Sequence, residues 1–547
     1  MPCLASLSLA LSAGCVTSGR HEGRPIGALT EVTPLADPPH LCAAIRGNGE
    51  LVMAHFASLG ALVEKLGVFD GLAGGSSASV TIFLYESILR NPAIADCRGE
   101  GADVAKACAA PARAARVSLL LKSLPEYLEV LGETQEAKAI FGASKFLSVA
   151  QEKGIFPLLF SESETKVLAG IGDLRAVLNS PEIGDLLNPE LRDMVSPTGV
   201  LFRTYRAREA FASLSAIGQL SGEDKKVFFR PGPIHFQELA RKLGRLGNFL
   251  AGYPIAGEPR DADPHRDLRG YLDRCTPLAQ GVDWFSLKEK DATCAQEIHG
   301  LMARYRARLL GAEDRTYSRT QDPVGGYVHA LVATSVLEAP ATKRFAEGFR
   351  RFMENDGFEG FEFKVYPELK YGYWGGAPDL TRLMANPKAY ADLRTRKRRA
   401  LPPAAWETVL ALSPAEPGLS RVRPIEGTEL SSAGGWPDLS PVLALKNIGC
   451  EKVVYVTREG EDSPFGQSIA RTLGATDAEQ GALYNLKNSQ SSFATSLREA
   501  DAVWCTNWDG YSAKRIPELV KNAHRAPLIS KTDKAKRKKN ILGCWQK

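Results

Sequence analysis

Five residues, Gly74-Gly75-Ser76-Ser77-Ala78, place a serine pair among the smallest side chains available. A serine hydroxyl becomes a useful nucleophile when the backbone turns sharply from strand to helix and holds it at the sheet edge, which requires small residues two before and two after it. Ser76, between Gly74 and Ala78, meets that spacing; Ser77, between Gly75 and Ser79, meets it in a second register. Gly/Ser clusters also make ordinary turns. An earlier turn, Gly47-Asn48-Gly49-Glu50, precedes an apolar run and can aim backbone N–H groups at a developing oxyanion. No Gly-Lys-Ser/Thr follows it, which excludes a P-loop.

The patterns around these turns supply the elements that position them. Leu41 to Ile45 reads as a strand ending at the first glycine turn, and Val52, Phe56, Leu59, Val63 and Leu66 share one helical face. Val68 to Ala73 reads as a second strand, and Val80, Phe83, Leu84, Ser87 and Ile88 as a second helix. Strand, glycine turn, helix, repeated, is the grammar of a parallel sheet with helices packed on it. From about 110 to 425 the pattern is mainly helical, at Val117 to Leu131, Ala139 to Glu152, Thr204 to Leu220, His235 to Leu250 and Cys294 to Leu310, with a strand returning between Val328 and Val336. Lys452 to Thr457 and Ala502 to Thr506 read as closing strands. The expected divisions are residues 1–20 as a signal, 38–110 as the first part of an α/β domain, 111–425 as a largely helical insertion and 426–547 as the remainder of that domain.

With 547 residues, 44% of them apolar and 24% charged, a large core is available and wholesale disorder is excluded. The net charge of +5 is too small for nucleic acid to be the main partner. Leu4 to Ala13 is a signal-like apolar stretch, and Ser12-Ala13-Gly14-Cys15 resembles a bacterial lipobox with Cys15 as lipid acceptor, although Leu11 is one position out and no Lys or Arg precedes the run. Plain signal cleavage is the alternative. Either route implies export to the bacterial envelope or beyond.

Of the remaining cysteines, Cys97/Cys108 and Cys275/Cys294 suit short-loop disulfides, whereas Cys42, Cys450 and Cys505 read as buried thiols. No metal-ligand spacing occurs. His55 and His329 read as packed residues, and a triad through His329 or His524 stays open. The runs Arg394 to Arg399 and Lys534 to Lys539 are solvated loops or contacts for anionic lipid, and Trp436, Trp504 and Trp508 read as core.

Gly47 to His55 and Phe69 to Ala78 together resemble the oxyanion segment and nucleophile elbow of the patatin-like phospholipases. Gly434-Gly435, followed by Pro441-Val442 and the strand from Lys452, resembles that family's Asp-Gly-Gly segment. The resemblance implies an α/β fold of three layers, with a central mostly parallel sheet and a large helical insertion. It implies a serine-dependent acyl hydrolase acting on phospholipid or related esters at a membrane, without cofactor or metal. Ser76 would be the nucleophile and Gly47, Asn48, Gly49 and Glu50 the oxyanion turn. The family's catalytic aspartate falls on Ala433, leaving Asp438 as the nearest carboxylate, and Leu51 stands where the family carries a basic residue. A fold retained for lipid or envelope binding after loss of catalysis is the alternative.

Overall fold

The computed structural model describes residues 37–47, 51–95, 110–132, 236–252, 264–279, much of 294–305, 318–338, 370–385, 398–415, 423–432, 434–435, 441–458, 496–506 and 516–531, with isolated positions elsewhere. In chain order the strands are β1 (Leu41–Ile45), β2 (Gly71–Gly75), β3 (His329–Glu338), β4 (Lys370–Gly375), β5 (Arg398–Ala400), β6 (Arg423–Pro424), β7 (Leu430–Ser432), β8 (Lys452–Arg458), β9 (Ala502–Thr506) and β10 (Leu528–Ser530). The helices used below are α1 (Leu51–Leu66), α2 (Ser77–Arg90), α3 (Ala110–Gly132), α4 (Phe236–Leu250), α5 (Pro264–Ala279), α6 (Ala377–Ala385), α7 (Trp406–Leu412), α8 (Val442–Asn447) and α9 (Ile516–His524). The expected helices at 139–152 and 204–220 lie outside the described residues.

The ten strands among the described residues join one mixed sheet in the order β10-β9-β8-β1-β2-β3-β4-β5, with β7 also on β3 and β6 on β7. The five central strands from β9 to β3 are parallel. Side chains alternate between two cores. Ile45, Leu72, Val332 and Val456 meet α1, α2, α3 and α4 on one face. Ala44, Ala73, Leu331 and Tyr455 meet α6 and α8 on the other. The protein is therefore an α/β fold with helices on both faces of the sheet.

Right-handed crossovers account for this layering. Steps from β1 to β2 and β2 to β3 move the same way and leave α1 and α2 on one face. The step from β8 to β9 moves the opposite way and leaves Leu497 and Ala500 on the other. The connections diverge at the carboxyl end of β1, the place where open α/β sheets bind their ligands.

The second strand runs from Gly71 to Gly75, later than its apolar content suggests. A side chain at Gly71 would fall 2.4 Å from Cys42 Sγ, and one at Gly74 would fall 3.1 Å from the Ile45 carbonyl. At Gly71 the Cys42 side chain leaves room for glycine alone. The Asp70 carboxylate fastens the start of this pair by accepting from the backbone of His40 and Leu41, each at 2.9 Å.

A buried ionic cluster anchors α2 to the central segment. Glu86 accepts from the Tyr327 backbone at 2.9 Å and from Trp406 Nε1 at 2.7 Å, and faces Arg319 at 3.2 Å. Arg319 and Arg90 share the Asp322 carboxylate. Two carboxylates and two guanidiniums balance, as burial of charge requires. Among the described residues no helix is long and apolar enough to cross a membrane.

Cys275 and Cys294 form the expected disulfide, but the reading of Cys42, Cys450 and Cys505 as thiols is corrected. Cys42 bonds Cys450, because β1 and β8 are neighbours and Cys450 leads directly into β8. Cys505 is disulfide-bonded as well. Cys97 and Cys108 lie outside the described residues. Closing a loop with a sequence separation of 408 removes much unfolded-state entropy, so replacing Cys42 and Cys450 by alanine is expected to cost about 4–5 kcal/mol. Peptide mapping without reductant should recover the 42–450 cross-link, and denaturant titration of the double variant should report the loss.

Candidate functional site

The chain turns from β2 into α2 through Ser76, whose backbone lies at φ 54° and ψ −128°. It is the one non-glycine with positive φ among the described residues. Such a conformation costs roughly 1–3 kcal/mol and persists where surrounding structure enforces it. Enforcement comes from several directions. A side chain at Gly74 would come within 2.3 Å of Ala78 Cβ, so both small neighbours expected of this turn are sterically required. Ser79 grips the Ser76 carbonyl through its N–H at 3.0 Å and its hydroxyl at 2.7 Å. From above, Gly435 lies so close that a Cβ there would sit 2.1 Å from Ser76 N.

Gly435 arrives there because the strands differ in length. β2 occupies the edge of β3 only as far as Ala333, opposite Gly75. β7 takes the same edge further on, with Ser432 opposite Val336. The chain leaves β7 through Gly434, at φ 86°, whose carbonyl accepts from Ser335 N at 2.6 Å and Ser335 Oγ at 2.8 Å. Ser413, just after α7, completes the arrangement. Its Oγ accepts from Ser76 N at 3.0 Å and donates to the Ala333 carbonyl at 2.9 Å, while its own carbonyl accepts from Gly435 N at 2.6 Å. Sequence reading gave no hint of Ser413, because a lone serine after a short helix carries no motif.

Gly47 sits level with this elbow. Ile45 pairs with Gly74, so Gly47 and Ser76 each stand two residues past matched positions on adjacent parallel strands. Gly47 is buried, and its N–H donates to no described residue. Such a donor can meet an oxyanion at the sheet edge. Asn48, Gly49 and Glu50 lie outside the described residues, as do Cys15, Ala433 and Asp438. The Ser76 hydroxyl makes no hydrogen bond to a described residue.

His329, His524 and His55 stand apart from this turn. His329 begins β3 opposite Gly71, four residues before the Gly75–Ala333 pair, which puts it about 13 Å down the sheet from the elbow at the usual rise per residue. Its Nδ1 is bound to Asp379, at 2.9 Å, in α6. His524 is buried at the end of α9, and no hydrogen bond joins it or His329 to Ser76. Neither builds a triad with this serine among the described residues. His55 is packed as expected, bridging α1 to α2 through Nδ1 and Thr81 Oγ1 at 2.9 Å. Burial lowers its pKa to about 3, offset only in part by the Arg46 backbone, so the ring is neutral at ordinary pH.

Trp504 is core, donating to the Ala523 carbonyl at 2.9 Å, whereas Trp436 and Trp508 lie outside the described residues. Of the basic runs, Arg398 donates to the Leu383 carbonyl at 3.1 Å and Arg399 is exposed. Lys534 to Lys539 lie outside the described residues. Among the described residues no group of three or more His, Cys, Asp or Glu could hold a metal ion. No protein-family model, curated protein or solved structure matches this chain.

Two outcomes follow from packing and burial. Gly435→Ala must push the loop off the Ser76 backbone and is expected to cost about 1–3 kcal/mol as an overpacking change. Gly300→Ala, with nothing within 4 Å of the added carbon, should be near neutral or slightly stabilising in the same denaturation assay. For His55 the unfolded ring takes a proton below its ordinary 6.5 while the folded ring resists to about 3. Its contribution is therefore complete above pH 6.5 and falls by about 1.4 kcal/mol per pH unit as pH drops towards 3. Stability measured from pH 7 to 4 should lose that slope in His55→Asn.

Proposed function

We propose that this protein is a patatin-like serine acyl hydrolase that cleaves carboxylic esters of phospholipids or related membrane lipids. The reading is carried by one observation: Gly435, from the segment resembling Asp-Gly-Gly, lies directly on the backbone of Ser76. Three short segments far apart in sequence thus meet at one sheet edge. A strained serine, a glycine whose N–H donates to no described residue and a glycine pair from late in the chain are the parts such an enzyme needs.

In this scheme Ser76 Oγ attacks the ester carbonyl as its proton passes to a carboxylate, and the Gly47 to Glu50 turn donates to the tetrahedral oxyanion. The intermediate collapses, the leaving alcohol takes the proton, and an acyl-serine remains. Water, deprotonated by the same carboxylate, attacks the acyl carbon; collapse releases the fatty acid and reprotonates Ser76. Asp438 is the base in this proposal, because Ala433 has no carboxylate to offer. No cofactor or metal enters the scheme.

The disulfides favour an oxidising compartment. They support export to the periplasm, outer membrane or medium, with Cys15 as the lipid anchor or with simple cleavage of the signal. The substrate would be met at a membrane surface, with the basic runs against anionic head groups. A second reading, a patatin-type fold that binds lipid or an envelope partner without turnover, is favoured by Ala433 and by a Ser76 hydroxyl that no described residue hydrogen-bonds.

Labelling of the mature protein with a fluorophosphonate separates the two. On the hydrolase reading Ser76→Ala abolishes labelling, Ser77→Ala retains it, and Asp438→Ala slows it by about 100-fold or more, the usual worth of a general base. A folded wild-type protein that takes up no probe would favour the binding reading.

A further inference from the structure

The Ser76 N–H is held by the hydroxyl of Ser413 across a sequence separation of 337 residues. Ser413 is completely buried. It satisfies three groups at once: the elbow amide, the β3 carbonyl of Ala333 and, through its own carbonyl, the amide of Gly435. A backbone with positive φ at a residue bearing a Cβ relaxes unless its peptide groups are tied. Two ties act here on opposite sides of Ser76, Ser79 on the carbonyl and Ser413 on the amide. Only the Ser413 tie reaches beyond α2 to both the neighbouring strand and the Gly434-Gly435 loop.

We propose that Ser413 is the positioning residue of the nucleophile turn. Its hydroxyl holds Ser76 in the positive-φ form, and its carbonyl sets how closely the Gly434-Gly435 loop approaches. The same bond removes the Ser76 N–H from the set of donors open to an oxyanion. The catalytic consequence rests on the acyl-hydrolase reading, whereas the mechanical one does not. Ser413 touches no substrate in this account; it acts through Ser76 and Gly435.

The test combines amide hydrogen exchange at Ser76 with fluorophosphonate labelling, resolved into the rate at saturating probe and the half-saturating concentration. In Ser413→Ala, exchange at Ser76 should accelerate about tenfold or more, and the saturating rate should fall about tenfold or more with the half-saturating concentration within about twofold, as for a misplaced reacting group. Ser123→Ala removes another buried serine hydroxyl, bonded to the Leu119 carbonyl at 2.8 Å in α3, and should leave both readouts unchanged. Ser413→Thr and Ser413→Val, equal in shape but unequal in hydrogen bonding, decide the matter if the alanine variant does not fold. Threonine should label at least about tenfold faster than valine.

Equal behaviour of the threonine and valine variants, or unchanged exchange at Ser76 in folded Ser413→Ala, overturns the assignment. Equal loss in the Ser123 control does so as well. Accelerated exchange at Ser76 in Ser413→Ala, together with a wild-type protein that takes up no probe, would retain Ser413 as the support of the turn while removing the hydrolase reading.

Discussion

The contact of Gly435 with the Ser76 backbone constrains the site from both sides. It requires a residue without Cβ at 435, and it leaves Ser76 no room to relax its positive φ upward. The matching contact of Gly74 with Ala78 closes the turn from below. Between them the serine is fixed by sterics, and hydrogen bonds from Ser79 and Ser413 then define its peptide orientations. Backbone strain of this kind is stable only inside a framework that is itself rigid. The parallel strands β1, β2 and β3, with buried side chains on both faces, supply it.

The framework also explains why a segment from the far end of the chain belongs to the site. β3 extends five residues beyond the end of β2, from Thr334 to Glu338, and a bare strand edge there would leave backbone groups unpaired. β7 fills part of that edge, and Gly435, just beyond it, lies over the Ser76 backbone. Site and sheet are in this sense one construction. The ionic cluster of Glu86, Arg90, Arg319 and Asp322 fixes the other end of α2, so the helix that begins just after Ser76 is held at both ends.

Much of this was legible in residue spacing. Helical periodicity located α1 and α2, and the small residues flanking Ser76 announced the turn, because the steric demand there is local and leaves a local signature. The central β1, β8 and β9 read as strands for their buried, apolar side chains. Short or glycine-bearing elements did not. Gly71 and Gly74 sit within β2 because a side chain would strike Cys42 of β1 at the first and Ala78 of α2 at the second, facts of tertiary packing with no periodic trace. β4 and β7 were missed because glycines, serines and a lysine dilute their apolar pattern. Ser413 and the Cys42–Cys450 bond were hidden for the same reason: each depends on a partner hundreds of residues away.

The place of β8 beside β1 has a consequence for biogenesis. β1 and β2 leave the ribosome early, yet the strand that pairs with the outer edge of β1 begins at Lys452. At the usual 5–20 residues per second, about 20–80 s of synthesis separate the two. Throughout that interval β1 offers an unpaired edge beside apolar surface, the kind of template that recruits foreign strands. A nascent chain of this design therefore has reason to be kept unfolded until it is complete.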